Sequence, residues 1–354
     1  MYIISIINAL PLSSWVMIDF RSDTVTKPSA AMLNVMMEAK VGDDVFGEDP
    51  AVNELETKAA ALFATEAALF CPSGTMTNQI AIKCHTEPGD EIICDKLSHV
   101  YQYEGGGIAF NSGCSVNLIE GNYGRITAAQ AEACINNKDD VHKACSKLVA
   151  LENTANRGGG SCYNFEDIKA IKKVCDANEL FLHLDGARLF NAIVAKGESP
   201  KDYGKIFDSI SICISKGLGA PVGSVLIGTK KIITKARRIR KIFGGGMRQA
   251  GYLAAACIYA LDNNVERLKE DHAHAQKLSA VLKQKDFVGE IFPVETNIVI
   301  FEVKGNYTAA SLIAILKKNN ILAIPISKTH VRMVTHLDIN SAMIDETVEV
   351  INHL

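Results

Sequence analysis

Asp208-Ser209-Ile210-Ser211-Ile212-Cys213-Ile214-Ser215-Lys216-Gly217-Leu218 and, upstream of it, Phe181-Leu182-His183-Leu184-Asp185-Gly186-Ala187-Arg188 decide how this chain is read. In the first stretch Ile210, Ile212 and Ile214 alternate with Ser211, Cys213 and Ser215, the pattern of a half-buried strand. In the second, a short apolar run from Phe181 to Leu184 ends at an acid. Lys216 and Asp185 are therefore expected at strand ends, where open α/β sheets bind ligands. An amine that can form an imine and a carboxylate that can hold a protonated ring nitrogen are the two groups that pyridoxal phosphate (PLP) requires of a protein. A lysine after a strand is ordinarily a solvated surface residue. What sets this one apart is the Asp185 partner together with a glycine-containing anion site upstream and the arginines Arg188 and Arg332.

Outward from these stretches the pattern alternates strand and helix, which predicts an α/β fold with a mostly parallel sheet and helices on both faces. Asp49-Pro50 supplies an N-cap and a proline at the first helical position, opening a helix through Ala51 to Ala64. Glu91 to Cys94 and Lys147 to Leu151 read as further strands. Ser73-Gly74-Thr75 is a turn opening into a helix from Met76 to Cys84, whose free N–H groups and dipole make an anion site. From about residue 265 the rhythm becomes helix (Glu266 to Leu282), strand (Asn297 to Val303), helix (Ala309 to Lys318), strand (Val331 to Thr335) and a final helix. The expected organisation is an extension over 1–17, a large cofactor-binding domain over 18–263 and a small C-terminal α+β domain over 264–354.

Composition narrows the function classes. The chain has 354 residues, more than one ordinary core holds. With 37 basic and 40 acidic residues its net charge is −3, which offers no field for nucleic acid or an anionic membrane. The run Lys230, Lys231, Lys235, Arg237, Arg238, Arg240, Lys241 reads as a solvated helix face. The ten cysteines are scattered, contain no CxxC pair and read as small hydrophobes of a reducing cytosol, which gives a cytoplasmic expectation. His272 and His274 are two apart on a predicted helix, do not face one another and build no metal site. The first 17 residues lack the basic start of a secretory signal and are too short to span a bilayer; they read as an upstream start or a loose extension.

Several stretches together resemble the low-specificity L-threonine aldolase family of fold-type-I PLP-dependent enzymes: Asp19-Phe20-Arg21-Ser22-Asp23-Thr24-Val25-Thr26-Lys27-Pro28, Val41 to Pro50, Pro72 to Met76, Leu151-Glu152-Asn153-Thr154, Asp185-Gly186-Ala187-Arg188, Ser215-Lys216-Gly217-Leu218, Gly244-Gly245-Gly246-Met247-Arg248-Gln249 and Val334-Thr335-His336-Leu337-Asp338. They run in order from residue 18 nearly to the C-terminus. The resemblance implies a fold-type-I PLP enzyme with a large domain and a small C-terminal domain.

The resemblance also implies roles. Lys216 would carry the cofactor, Asp185 its ring nitrogen, Gly74 and Thr75 its phosphate, and His99 would stack on its ring. Ser22, Arg188 and Arg332 would take the substrate carboxylate, with Arg188 also beside the cofactor. Arg248 would reach the cofactor phosphate across a subunit interface, so that the protein would be a homo-oligomer, a dimer of dimers. The base that removes the β-hydroxyl proton stays open between His142, His99 and a bound water. Many relatives have histidine where this chain has Ala155, followed here by an unusual Arg157-Gly158-Gly159-Gly160; the loss of a ring from a pocket loop is expected to alter diastereomer preference or rate. The expected reaction is retro-aldol cleavage of L-threonine or L-allo-threonine to glycine and an aldehyde. Other fold-type-I activities (β-elimination or transamination) and a catalytically weak PLP-binding protein are the alternatives.

Overall fold

The computed structural model describes residues 17–354, so the expectation for the N-terminal extension falls, Met17 apart, outside the described residues. The described chain enters on a two-residue strand, β1 (Ile18–Asp19). Seven strands then form the main sheet: β2 (Ala67–Cys71), β3 (Asp90–Asp95), β4 (Ser115–Ile119), β5 (Cys145–Glu152), β6 (Phe181–Gly186), β7 (Ser209–Cys213) and β8 (Ser224–Gly228). Their order is β2-β8-β7-β6-β5-β3-β4. The run β4-β3-β5-β6-β7 is parallel, and β8 lies antiparallel between β7 and β2. This is the mostly parallel α/β sheet that the resemblance implies.

All of β7 is buried, against the half-buried strand that its Ile/Ser alternation predicts. The reason is the helix Gly74–His85, which lies across the face carrying the serines. Ser211 Oγ meets Thr77 Oγ1 at 2.6 Å, and Ser209 Oγ lies 2.8 Å from His85 Nε2. The polar half of the strand is thus satisfied by side chains rather than by water, as burial requires.

Beyond the main sheet, β9 (Val288–Ile291), β10 (Ile298–Val303), β12 (Ile324–Pro325) and β13 (His330–Val334) form an antiparallel sheet in the order β12-β13-β10-β9. β11 (Ile321–Leu322) instead pairs in parallel with β1. Ile18 and Phe20 therefore pack into the smaller core with Val299, Phe301, Val331 and Met333, although the domain expectation groups them with residues 18–263. The segment is pinned on both sides: Phe20 N–H donates to Leu322 O at 2.8 Å, and Val334 N–H donates to Phe20 O at 2.9 Å. This clamp delivers Ser22 and Asp23 to the mouth of the main sheet.

All ten cysteines are free, and burial pushes the thiols of Cys71, Cys94 and Cys175 up to about 12, so they act as apolar filler. Among the described residues no helix is long and apolar enough to cross a membrane.

Phe20→Ala is expected to cost about 3–5 kcal/mol, the usual loss for a buried aromatic, as read by urea unfolding. Because Phe20 anchors the segment that carries Ser22 and Asp23, substrate affinity should fall in the same variant. Full stability would show that the clamp is held by its backbone bonds alone.

Candidate active site

The carboxyl ends of the parallel strands meet along one edge, and register sets who stands beside whom: Glu152 on β5 is opposite Asp185 on β6, and Asp185 is opposite Ser211 on β7. Asp185 is only 1% exposed. Its Oδ2 accepts from Asn78 Nδ2 at 2.9 Å, and its Oδ1 accepts from the Ala187 N–H at 3.1 Å. Behind Asn78 runs a buried chain. Asn78 Oδ1 lies 3.2 Å from His183 Nε2, His183 Nδ1 lies 2.8 Å from Ser209 Oγ, and that hydroxyl is shared with His85. Burial holds both rings neutral, pushing His183 down to about 4 and His85 down to about 3. A neutral chain of this kind fixes the carboxylate's direction without cancelling its charge.

Negative charge is concentrated here. Glu104 is buried and accepts from Asn78 Nδ2 at 2.8 Å and from Gln79 Nε2 at 2.6 Å. Its Oε1 lies 3.0 Å from His99 Nδ1, and acceptor atoms of His99, Glu104 and Asp185 come within 4.8 Å of one another. Glu152 accepts from the backbone N–H groups of His99 and Asn156 at 2.7 and 2.8 Å. Burial, and then the Asp185 charge, raise Glu152 to about 7. Burial works against a charged His99, yet the bond to Glu104 and the carboxylates of Asp185, Glu104 and Glu152 outweigh it, so the ring's pKa lies above its ordinary value. Such a cluster calls for a cationic N–H, and the protonated ring nitrogen of PLP is one, with Lys216 across the cavity to receive the aldehyde. The donor set fits the cofactor.

The cavity in front of these groups has a volume of about 470 Å³ and is lined by Ser22, His99, Arg188, Lys216 and Arg332 among others. Arg188 is held by a buried fork on Asp23, Nε to Oδ2 at 2.8 Å and Nη2 to Oδ1 at 2.6 Å. Burial opposes the Asp23 charge, but Arg188 and then Lys216 prevail and hold it at about 2. Arg332 donates to Asn156 Oδ1 at 2.8 Å and to Arg21 O at 3.2 Å, while its buried Nε has no partner. Burial first, and the neighbouring Arg188 second, push Arg332 down to about 10. Arg188 Nη1 reaches the same Asn156 oxygen at 3.4 Å. Two guanidinium groups thus share one neutral acceptor, and a substrate carboxylate would complete them.

Sequence reasoning and structure part at other positions. Gly74 and Thr75 open the helix as expected, with Ser73 capping the Met76 N–H at 3.2 Å. Thr75 lines an adjoining depression with Ser73, Gln79 and Lys83 rather than the Lys216 cavity. His142 is not brought to the site. It lies ahead of β5, at the end of that strand opposite Glu152, with 89% of its side chain exposed and its Nδ1 on Asp140. Within one chain His142 does not line the cavity that holds Lys216. Arg248 is also outside the cavity, half exposed and paired with Asp43 at 2.9 Å. Ala155 is buried and does not itself line the cavity; a Cβ on Gly124 would stand 2.8 Å from its side chain.

The Arg157-Gly160 run has a steric purpose: a Cβ on Gly158 would stand 1.9 Å from Tyr123 O, and Gly159 and Gly160 have positive φ of 77° and 74°. The loop carrying Asn156 and Arg157 can therefore lie flat at the cavity edge. Asp23, Asn78, Glu104 and Asn156 were not singled out from sequence. Thr77-Asn78-Gln79, a polar triplet on the buried face of a helix, is the signal that was there to be used.

The model of the beta-eliminating lyase family matches residues 19–306. The low specificity L-threonine aldolase of Escherichia coli (strain K12) is 44% identical over 332 residues, covering 93% of this chain and 97% of that protein. Among solved structures, threonine aldolase of Leishmania major superposes with a TM-score of 0.83 at 22% identity, over 95% of this chain and 99% of the other. SPT, solved with PLP as an internal aldimine, gives 0.75 at 16% identity over 95% and 87%.

Asp23→Asn leaves buried Arg188 without its counter-charge and should cost about 3–5 kcal/mol in urea unfolding at neutral pH. Since Asp23 is lowered from 3.8 to about 2 by folding, its contribution is complete above 3.8 and is lost as pH falls through about 2. The gap between wild type and variant should hold level between about pH 5 and 8 and close only below about pH 4. A gap that changes across the neutral range would assign the stabilisation to another group.

Proposed function

The chain belongs to the beta-eliminating lyase family, with low-specificity L-threonine aldolases as its relatives, and from the site geometry we propose how it performs their reaction. It is a PLP-dependent carbon–carbon lyase that cleaves L-threonine and L-allo-threonine to glycine and acetaldehyde. When bound, the cofactor supplies an electron sink for the pair left by the broken Cα–Cβ bond. The protein's own residues do the rest.

Asp185, aimed by Asn78, would hold the cofactor's ring nitrogen. Arg188 and Arg332, with Ser22 beside them, would take the substrate carboxylate and so fix the orientation of its Cα–Cβ bond. The single observation that carries this reading is the shared Asn156 oxygen: two guanidinium groups stand 2.8 and 3.4 Å from one neutral acceptor in the same cavity as Lys216. With His142 on the surface, His99 is the imidazole left for the β-hydroxyl proton. Its Nδ1 is engaged by Glu104, and Nε2 accepts the proton directly or through water. Gly74 and Thr75, at a helix N-terminus, would take the phosphate, with Thr75 lining the depression beside Ser73 and Gln79 and not the Lys216 cavity itself.

Arg248 and Phe46, with the latter 73% exposed and the Arg248 guanidinium 5.9 Å over its ring, suit a surface covered by another copy of the chain. On this reading the enzyme is a cytoplasmic homotetramer in which Arg248 completes a neighbour's phosphate site, and it serves glycine supply and threonine breakdown.

The deciding assay incubates holoenzyme with L-threonine, L-allo-threonine and serine and measures aldehyde, glycine, ammonia and oxo-acid. Aldehyde and glycine in equal amounts are expected; ammonia or oxo-acid as the main product would replace the aldolase reading.

Borohydride treatment of holoenzyme should fix the cofactor to one peptide, the one holding Lys216; label on any other lysine would refute that assignment. Arg332→Lys keeps a charge but loses the planar fork. It should retain cofactor colour while the apparent affinities for both L-threonine and glycine fall by about tenfold, the scale of one lost charge-assisted bond. Unchanged KM and kcat would remove Arg332 from the clamp.

A further inference from the structure

The cavity holds more positive charge than a threonine-like substrate can use. Its lining includes Lys216, Arg188, Arg332 and Arg157, and no Asp or Glu among the described residues. Lys216 is committed to the cofactor, Asp23 neutralises Arg188, and one substrate carboxylate satisfies Arg332. Arg157 is left over. No carboxylate pairs with it among the described residues; its Nη2 donates to Ile326 O at 3.1 Å, and its guanidinium carbon stands 5.9 Å over the Tyr103 ring. A guanidinium group held against a backbone oxygen and an aromatic face keeps donors free and its charge uncompensated. That charge already reaches Arg332, whose pKa it helps to lower.

Its neighbours say where the anion would sit. Tyr103 packs beside His99 at 5.7 Å between ring centroids, and His99 is the group assigned to the β-hydroxyl. Arg157 therefore stands along the wall that leads from the α-carboxylate clamp toward the β-carbon substituent. Ile324, Pro325 and Ile326 also line the cavity and have no donor side chain to compete with it.

We propose that Arg157 recognises a second anionic group, so that this enzyme accepts β-hydroxy-α-amino acids carrying a carboxylate on the β-carbon. The proposal rests on the aldolase reading above. For 3-hydroxyaspartate the Cα–Cβ bond breaks, the hydroxyl proton leaves to the base, and Cα takes up one proton. The products are glycine and the two-carbon oxo-acid OHC–COO⁻, with no change of net oxidation state and no co-reactant.

The test compares kcat/KM for 3-hydroxyaspartate with that for L-threonine in wild-type holoenzyme, Arg157→Ala and Arg157→Lys. The ratio should fall by about tenfold or more in Arg157→Ala, as for the loss of one charge-assisted contact, with Arg157→Lys between the two. A binding readout needs no turnover: L-aspartate carries both carboxylates but no β-hydroxyl, and its affinity relative to L-alanine, followed by the change in cofactor absorbance, should drop in parallel. If Arg157 only ties the loop to Ile326, both substrates weaken together, thermal stability falls and both ratios stay fixed, which overturns the proposal. Wild-type enzyme that cleaves threonine but not 3-hydroxyaspartate overturns it too. Failure to cleave threonine at all would instead remove the aldolase reading, and the aspartate-to-alanine ratio would still decide whether Arg157 selects a second anion.

Discussion

The buried fork between Arg188 and Asp23 is the interaction on which the rest of the site depends. Neither group can be taken out of water alone, because an unpaired buried charge costs several kcal/mol, so each fixes the other's place. Arg188 lies two residues past the end of β6 and three beyond Asp185, while Asp23 follows the strand β1, which pairs with β11. One ion pair therefore ties the clamped N-terminal segment to the turn that follows β6 and Asp185. Asn297 Nδ2, 3.4 Å from Asp23 Oδ2, adds a tie from the head of β10. On the proposed reading, a substrate carboxylate arriving at Arg188 would meet a guanidinium group that is already oriented, with the entropy of ordering it spent in folding.

Around that pair the site separates charge into two zones. Asp185, Glu104 and Glu152 gather under His99, and Lys216, Arg332 and Arg157 gather across the cavity. In the first zone the excess is tempered by neutral donors, Asn78 and Gln79 above all, and by the rise of Glu152 to about 7, which allows it to share a proton near neutrality. In the second zone it is tempered by Asn156 Oδ1, an acceptor without charge that Arg332 shares with Arg188. Both zones are left short of a counter-ion. A ring N–H answers the first, and a carboxylate answers the second.

Asn156 links the zones in another way. Its backbone N–H donates to Glu152 while its side-chain oxygen serves both arginines. The glycine run that follows lets this loop press against Tyr123 and Thr296, so a stretch that looks like slack in the sequence is closely packed. Packing at this density leaves little room for the loop to retreat when substrate binds.

What the sequence determined was whatever local pattern controls. The Ile/Ser alternation before Lys216, the apolar run before Asp185 and the Asp49-Pro50 start each encode a strand or a helix through the period of the side chains or the geometry of a cap. Ordered along the chain, they fix a parallel α/β sheet and put amine and acid at its carboxyl edge. What the tertiary structure alone decided was whatever depends on distance across the chain. It buried the serine face of β7, moved Ile18 and Phe20 into the smaller core, put His142 at the wrong end of β5 and joined Asp23 to Arg188. Proximity between residues so far apart in sequence follows from how layers stack and where loops return, and neither periodicity nor capping carries that information.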